Sequence, residues 1–119
     1  MDMQFEDERN LSASETVIMK AVWDYNGSNE NDIAVPDLIE ELRKYGKDYA
    51  RTTVVTFLLK LSDKGFVRTY RKGKLSYVRV MKSEEEYKEK LMEEEIRFWY
   101  GGDIEAFKAM LGKVAQKEK

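Results

Sequence analysis

Three features of the 119-residue chain predict a mainly α fold with a small β element (α+β). Its first half carries apolar residues at helical spacing, Gly65 is followed by alternating β-branched and aromatic residues, and helical spacing returns after Ser83. The first helix opens at Ser12, which stands three residues before Glu15 in the spacing of a capping box, with Leu11 placed as a hydrophobic staple. Ile18, Val22 and Tyr25 follow at helical spacing, flanked by Met19, Ala21 and Trp23. The pattern is expected to stop at Asn26-Gly27, leaving the polar run from Gly27 to Asp32 as a loop. Ile33-Ala34-Val35 is too short for an independent strand and is expected to pair beside a hairpin. Pro36 suits the first turn of a second helix, where its missing N–H costs nothing, and Asp37 suits the helix dipole. Leu38, Ile39 and Leu42 give this helix an apolar face, and Gly46 stops it.

A third helix is expected from about Arg51 to Lys64. Val54, Phe57, Leu58 and Leu61 form its buried stripe at i, i+3, i+4 and i+7. The opposite face carries Thr52, Val55, Thr56 and Leu59, with Lys60 to one side. A solvent-exposed face of this length ordinarily holds several Glu and Lys residues; short Thr and Val side chains suit close approach to a partner such as a DNA major groove. Phe66 to Arg71 and Lys74 to Val80 read as a β-hairpin turning at Lys72-Gly73, with Arg71, Lys72 and Lys74 crowded around its tip. Mutual repulsion lends such a tip no stability, so it points to an anionic partner, with charge protection of an edge strand as the alternative.

A formal net charge of −2 conceals a split. Eleven basic residues lie between Arg43 and Arg79 (Arg43, Lys44, Lys47, Arg51, Lys60, Lys64, Arg68, Arg71, Lys72, Lys74 and Arg79) against Asp48 and Asp63 alone, a net +9 that leaves −11 for the rest. Phosphate binding responds to the charges near it, not to the whole-chain total.

Ser83 with Glu86 is a second capping-box spacing, opening a helix from about Glu84 to Tyr100. Seven glutamates against two lysines from Glu84 to Glu95 make this helix one that phosphate repels. Leu91, Met92, Ile96, Phe98, Trp99 and Tyr100 crowd its later turns. Gly101-Gly102 breaks it, and Asp103 caps a final helix bearing Ile104, Phe107, Met110, Leu111 and Val114. Two such helices have no core of their own for these aromatics, so a symmetric partner is expected, joined through Leu91, Ile96, Trp99, Tyr100, Ile104, Phe107 and Leu111.

The chain has no cysteine and no histidine, which removes disulfides, thiolate nucleophiles, thiolate metal sites and the commonest general base. Nothing gathers its Asp and Glu residues into a carboxylate-based site, so no enzyme, metal or cofactor is expected. No apolar run approaches the ~20 residues of a membrane span. Met1 to Asn10 is acidic and lacks the basic and apolar regions of a secretory signal, so the expected location is the cytoplasm.

Three helices and then a hairpin, with the third helix directly before it, is the order of a winged helix-turn-helix domain. In that fold the third helix enters the major groove and the hairpin tip touches the flanking backbone. The expected division is a DNA-binding domain over residues 1–81 and a helical dimerisation region over 82–119. The same topology also serves as a protein-binding module without DNA readout.

The sequence resembles the penicillinase repressor group, which includes the β-lactamase, methicillin-resistance and copper-operon repressors. The resemblance begins at Leu11-Ser-Ala-Ser-Glu, takes in Val17 to Trp23 (VIMKAVW) and Val35 to Leu42 (VPDLIEEL), and is most specific from Thr52 to Gly65 (TTVVTFLLKLSDKG). The wing RKGKLSYVRV and the helix break FWYGGDIEAF extend it over nearly the whole chain. It implies a homodimeric repressor binding inverted-repeat operators in double-stranded DNA, commonly with TACA/TGTA half-sites. By position it implies DNA contacts from Thr53 and Thr56 at the start of the recognition helix, with Arg51 and Thr52 just before them, Val55 between, and Lys60 where the family often has Arg. The wing's contacts would come from Arg71, Lys72 and Lys74. The copper-responsive branch carries a Cys-x-Cys motif, so copper sensing of that kind is excluded here. The Asn-Phe bond cleaved in the antibiotic-resistance branch does not occur either; Met110-Leu111 stand near its position.

Overall fold

The computed structural model describes residues 10–118; the rest of the acidic N-terminal stretch and Lys119 lie outside the described residues. In chain order the elements are α1 (Ala13–Asn29), β1 (Ile33–Ala34), α2 (Val35–Lys44), α3 (Arg51–Asp63), β2 (Val67–Lys72), β3 (Leu75–Val80), α4 (Glu84–Tyr100) and α5 (Ile104–Lys117). The first six make a winged helix. The chain divides after Glu84 into two compact units, 10–84 and 85–118 among the described residues.

In the first unit, α1, α2 and α3 bury one face each against a three-stranded antiparallel sheet of order β1-β3-β2. Ile18, Met19, Ala21 and Val22 from α1 meet Leu38 and Leu42 from α2, Val54, Leu58 and Leu61 from α3, and Phe66, Val67 and Val78 from the hairpin. Fully burying each such side chain contributes about 1.5–3 kcal/mol, which makes this cluster the source of the fold's stability. Trp23 completes it: its indole N–H donates to the Lys82 carbonyl at 2.9 Å, and its ring lies 6.4 Å from that of Phe66. β1 pairs with β3 through Ile33↔Val78 and Ala34↔Tyr77, which makes the short apolar run the third strand beside the hairpin.

Three local expectations change. α1 continues through Gly27 to Asn29 and ends on Glu30 in the left-handed region, φ 56°. Its last turn is held by side chains, with Asn29 Nδ2 donating to the Tyr25 carbonyl and Asn26 Nδ2 to the Asn31 carbonyl, so a glycine does not end it. Phe57 is half-buried and packs against Tyr49 at 5.9 Å between ring centroids. The hairpin turns at Gly73-Lys74, because Lys72 pairs with Leu75. Positive φ falls at Gly73 and not at Lys74, the requirement of a type II′ turn.

The end of α3 is fixed twice. Gly65 (φ 83°) lets the chain reverse so that Phe66 N–H reaches the Leu61 carbonyl and Gly65 N–H the Ser62 carbonyl, both at 3.0 Å, the two bonds of a Schellman motif. Lys64 then points back to α1, where its Nζ donates to Glu15 Oε1 at 2.6 Å and to the Asn10 carbonyl at 2.8 Å. Glu15, 2 % exposed, also accepts from the Ser12 N–H at 2.9 Å, completing the capping box. Burial alone would raise its carboxyl; the hydrogen bonds from Lys64 and Ser12, with the lysine's charge, outweigh that and hold it below its ordinary 4.5.

In the second unit, α4 and α5 are joined at Gly101-Gly102, and the Asp103 side chain caps α5 by accepting from the Ala106 N–H at 3.1 Å. Tyr100 and Phe107 lie 5.8 Å apart across the break. Neither helix contains a buried residue.

Three substitutions, each read by its effect on stability, test this description. A Cβ at Gly27 meets nothing within 4 Å, so Gly27→Ala should stabilise by about 0.5–1 kcal/mol in urea unfolding. The same change at Gly65, where φ is positive, should destabilise by about 1 kcal/mol. A depressed carboxyl adds stability that is present above its unfolded pKa and lost as pH falls through the folded one. Glu15→Gln should therefore cost about 1–3 kcal/mol at pH 7, and the deficit should shrink as pH drops below 4.5. A deficit that is equal at both pH values would mean the ion pair contributes nothing.

Candidate nucleic-acid interface

The helical phase of α3 turns Val54, Leu58 and Leu61 inward and leaves Thr52, Thr56 and Leu59 exposed on the other side, at i, i+4 and i+7. Arg51 and Lys60 are exposed beside them, while Thr53 and Val55 are half-buried at the margins. Lys60 Nζ stands 5.8 Å from the Phe57 ring centroid, a cation–π contact that leaves its charge at the surface. Thr56 Oγ1 donates to the Thr52 carbonyl at 2.9 Å.

The first turn of α3 differs from those of α1 and α5. They are capped by Ser12 and Asp103, with Glu15 and Glu105 as acids in the first turn. α3 starts after Ala50 with no side-chain cap and no acid, so its leading N–H groups and the positive end of its dipole face outward uncompensated. An anion is the group that such a terminus accepts.

The wing tip projects Arg71, Lys72 and Lys74, all exposed. Its stem is tied down. Tyr70 and Tyr77, paired across the strands, stack with centroids 5.6 Å apart, and Arg79 lies 5.1 Å from the Tyr70 ring. Asp32, just before β1, accepts from Tyr70 Oη at 2.6 Å and from Arg79 Nε at 3.2 Å. That hydrogen bond to Asp32 raises the Tyr70 hydroxyl above its ordinary pKa, and the same carboxylate raises the Arg79 guanidinium. α3 packs against β2, so recognition helix and wing belong to one unit.

The structure sorts the eleven cations of the basic run. Arg43 pairs with Glu40 and Asp48, Lys44 with Glu41, Lys64 with Glu15 and Arg79 with Asp32. The other seven, Lys47, Arg51, Lys60, Arg68, Arg71, Lys72 and Lys74, make no ion pair among the described residues. Five of them are site residues expected from the sequence. Lys47, half-buried before α3, and Arg68, exposed on β2, join that set from the same basic run.

The residues expected at a dimer interface lie in α4 and α5. Trp99 is 67 % exposed; Ile104 and Leu111 are also exposed, and Leu91, Ile96, Tyr100 and Phe107 are half-buried. Phe98 meets Trp99 edge to face at 4.7 Å. Among the described residues no group of three or more His, Cys, Asp or Glu side chains could hold a metal ion. No described helix is long and apolar enough to cross a membrane.

Comparison with solved structures gives a loose likeness to the crystal structure of an ArsR family transcriptional regulator, at a TM-score of 0.46 and 17% identity over 75% of this chain and 94% of that one. No curated protein matches. The family of penicillinase repressors matches residues 11–119, from the residue before the first helix cap to the end of the chain. With nearly its whole length following that pattern, the chain belongs to the penicillinase repressor family, a family of winged-helix transcriptional repressors.

Proposed function

We propose that the chain works as a homodimer that binds inverted-repeat operator DNA and blocks transcription. The observation that carries this reading is the sorting of charge. Arg43, Lys44, Lys64 and Arg79 are neutralised by carboxylates, whereas Arg51, Lys60, Arg71, Lys72 and Lys74 have no carboxylate partner among the described residues. Holding like charges together without counterions is unfavourable unless a polyanion supplies them, and DNA carries about one phosphate charge per 1.7 Å of its axis.

In this reading α3 enters the major groove. Arg51 and the uncapped N-terminus of α3 approach phosphate or a guanine edge, Thr52, Thr53, Val55 and Thr56 face bases, and Lys60 meets the backbone. Arg71, Lys72 and Lys74 neutralise phosphates beside the groove. Dimerisation through Leu91, Ile96, Trp99, Tyr100, Ile104, Phe107 and Leu111 would cover apolar surface that the chain itself leaves open, and would present two recognition helices to the two halves of a palindrome.

Binding to random-sequence duplex at two salt concentrations tests the reading. A repressor loses affinity steeply as salt rises, whereas a winged helix used only for protein contacts binds at neither concentration. Changing Arg71, Lys72 and Lys74 together to Ala should weaken binding to all sequences alike and flatten the salt slope by roughly 0.9 for each phosphate no longer neutralised. A changed sequence preference instead would contradict the wing's assignment to backbone. Trp99 is mostly exposed in the single chain, so Trp99→Ala should cost the fold little while shifting sedimentation towards monomer. A full dimer at low concentration would mean that the interface lies elsewhere.

A further inference from the structure

Leu59 is the most exposed large apolar side chain among the described residues of the first unit, at 61 %, and it lies on the outward line of α3 with Thr52 and Thr56. Thr56 has committed its hydroxyl proton to the Thr52 carbonyl, so it meets a partner with a methyl group and an acceptor, not a donor. Thr56 and Leu59 are neighbours at i and i+3, and together they make a small apolar step on a surface otherwise set with cations. Asp63, exposed on the same line one turn further on, ends the stretch that phosphate can tolerate. The part of the helix open to a groove therefore runs from Arg51 to Lys60, and Leu59 closes it.

The one alkyl group on the major-groove edges is the 5-methyl of thymine; guanine, adenine and cytosine are marked there by donors and acceptors. A leucine facing a guanine, cytosine or adenine edge would strip water from polar atoms and return no hydrogen bond, which costs about 1–3 kcal/mol per unsatisfied group. Facing thymine, it buries methyl against methyl. We propose that Leu59, with the Thr56 methyl beside it, is a specificity-determining residue that selects thymine in each half of the operator by contact with its 5-methyl group. This rests on the DNA-binding reading above and adds to it a base preference and the side chain that sets it.

The test begins with the full chain selecting its preferred duplex from a random library. If no sequence is enriched and no duplex is bound, it is the DNA-binding reading that fails. With a selected duplex in hand, each thymine is replaced in turn by deoxyuridine, which removes the methyl and nothing else. Wild type should lose about fourfold in affinity at one thymine per half-site, the equivalent of ~0.8 kcal/mol at 1.4 kcal/mol per tenfold. Leu59→Ala should bind the thymine and uridine duplexes equally, near the wild-type level on uridine. Leu59→Gln, which can bond both edge atoms of adenine, should move the selected base at that position away from thymine. DNA binding that is indifferent to every methyl would overturn the proposal, as would a Leu59→Ala protein that keeps the wild-type discrimination, or a Leu59→Gln protein that still selects thymine.

Discussion

The ion pair between Glu15 and Lys64 joins the first turn of α1 to the residue that ends α3, and the placing of α3 depends on it. If α3 is offered to DNA as proposed, its outward side chains must stay free and cannot fix it. α3 is held from behind by Val54, Leu58 and Leu61, and at its C-terminal end by a lysine drawn back into the capping box of another helix. Glu15 thus has two tasks, closing the N-terminus of α1 and anchoring the end of α3. Removing either partner of a pair this buried leaves the other unsatisfied, a larger penalty than the pair's own net worth.

The same division of roles governs charge. A chain with net −2 keeps cations available by setting carboxylates against the lysines and arginines that serve structure: Glu15 on Lys64, Asp32 on Arg79, Glu40 and Glu41 on Arg43 and Lys44. Among the described residues none pairs with a cation of the wing tip or of the leading turn of α3. Net charge therefore conceals which cations are paired and which are not.

Most of the architecture was legible because it rests on short-range signals. Gly101-Gly102 marks the end of α4, the Ser12–Glu15 spacing marks the start of α1, and the spacing of Val54, Leu58 and Leu61 sets the phase of α3, which alone exposes Thr52 and Thr56. What escaped the sequence depends on distance or on competition between weak preferences. Lys64 and Glu15 are 49 residues apart, and Arg79 and Asp32 are 47 apart, so nothing local announces that two cations of the basic run are consumed. The Glu40–Arg43 and Glu41–Lys44 pairs have ordinary i,i+3 spacing and were readable. Gly27 reads as a stop because glycine disfavours helices by about 1 kcal/mol, an amount that capping amides from Asn26 and Asn29 can offset. The one-residue shift of the hairpin turn reflects strand register, which the Tyr70–Tyr77 pairing sets and composition does not.

The tied stem and bare tip of the wing separate two properties that proteins often find coupled. The Asp32, Tyr70, Tyr77 and Arg79 cluster holds the ribbon's base, while the side chains of Arg71, Lys72 and Lys74 make no ion pair among the described residues. If the tip meets nucleic acid as proposed, exchanges there would raise or lower that grip with folding stability held within ~0.5 kcal/mol. A lineage is free to retune its repressors for strong or weak promoters three side chains at a time, with the interior never revisited.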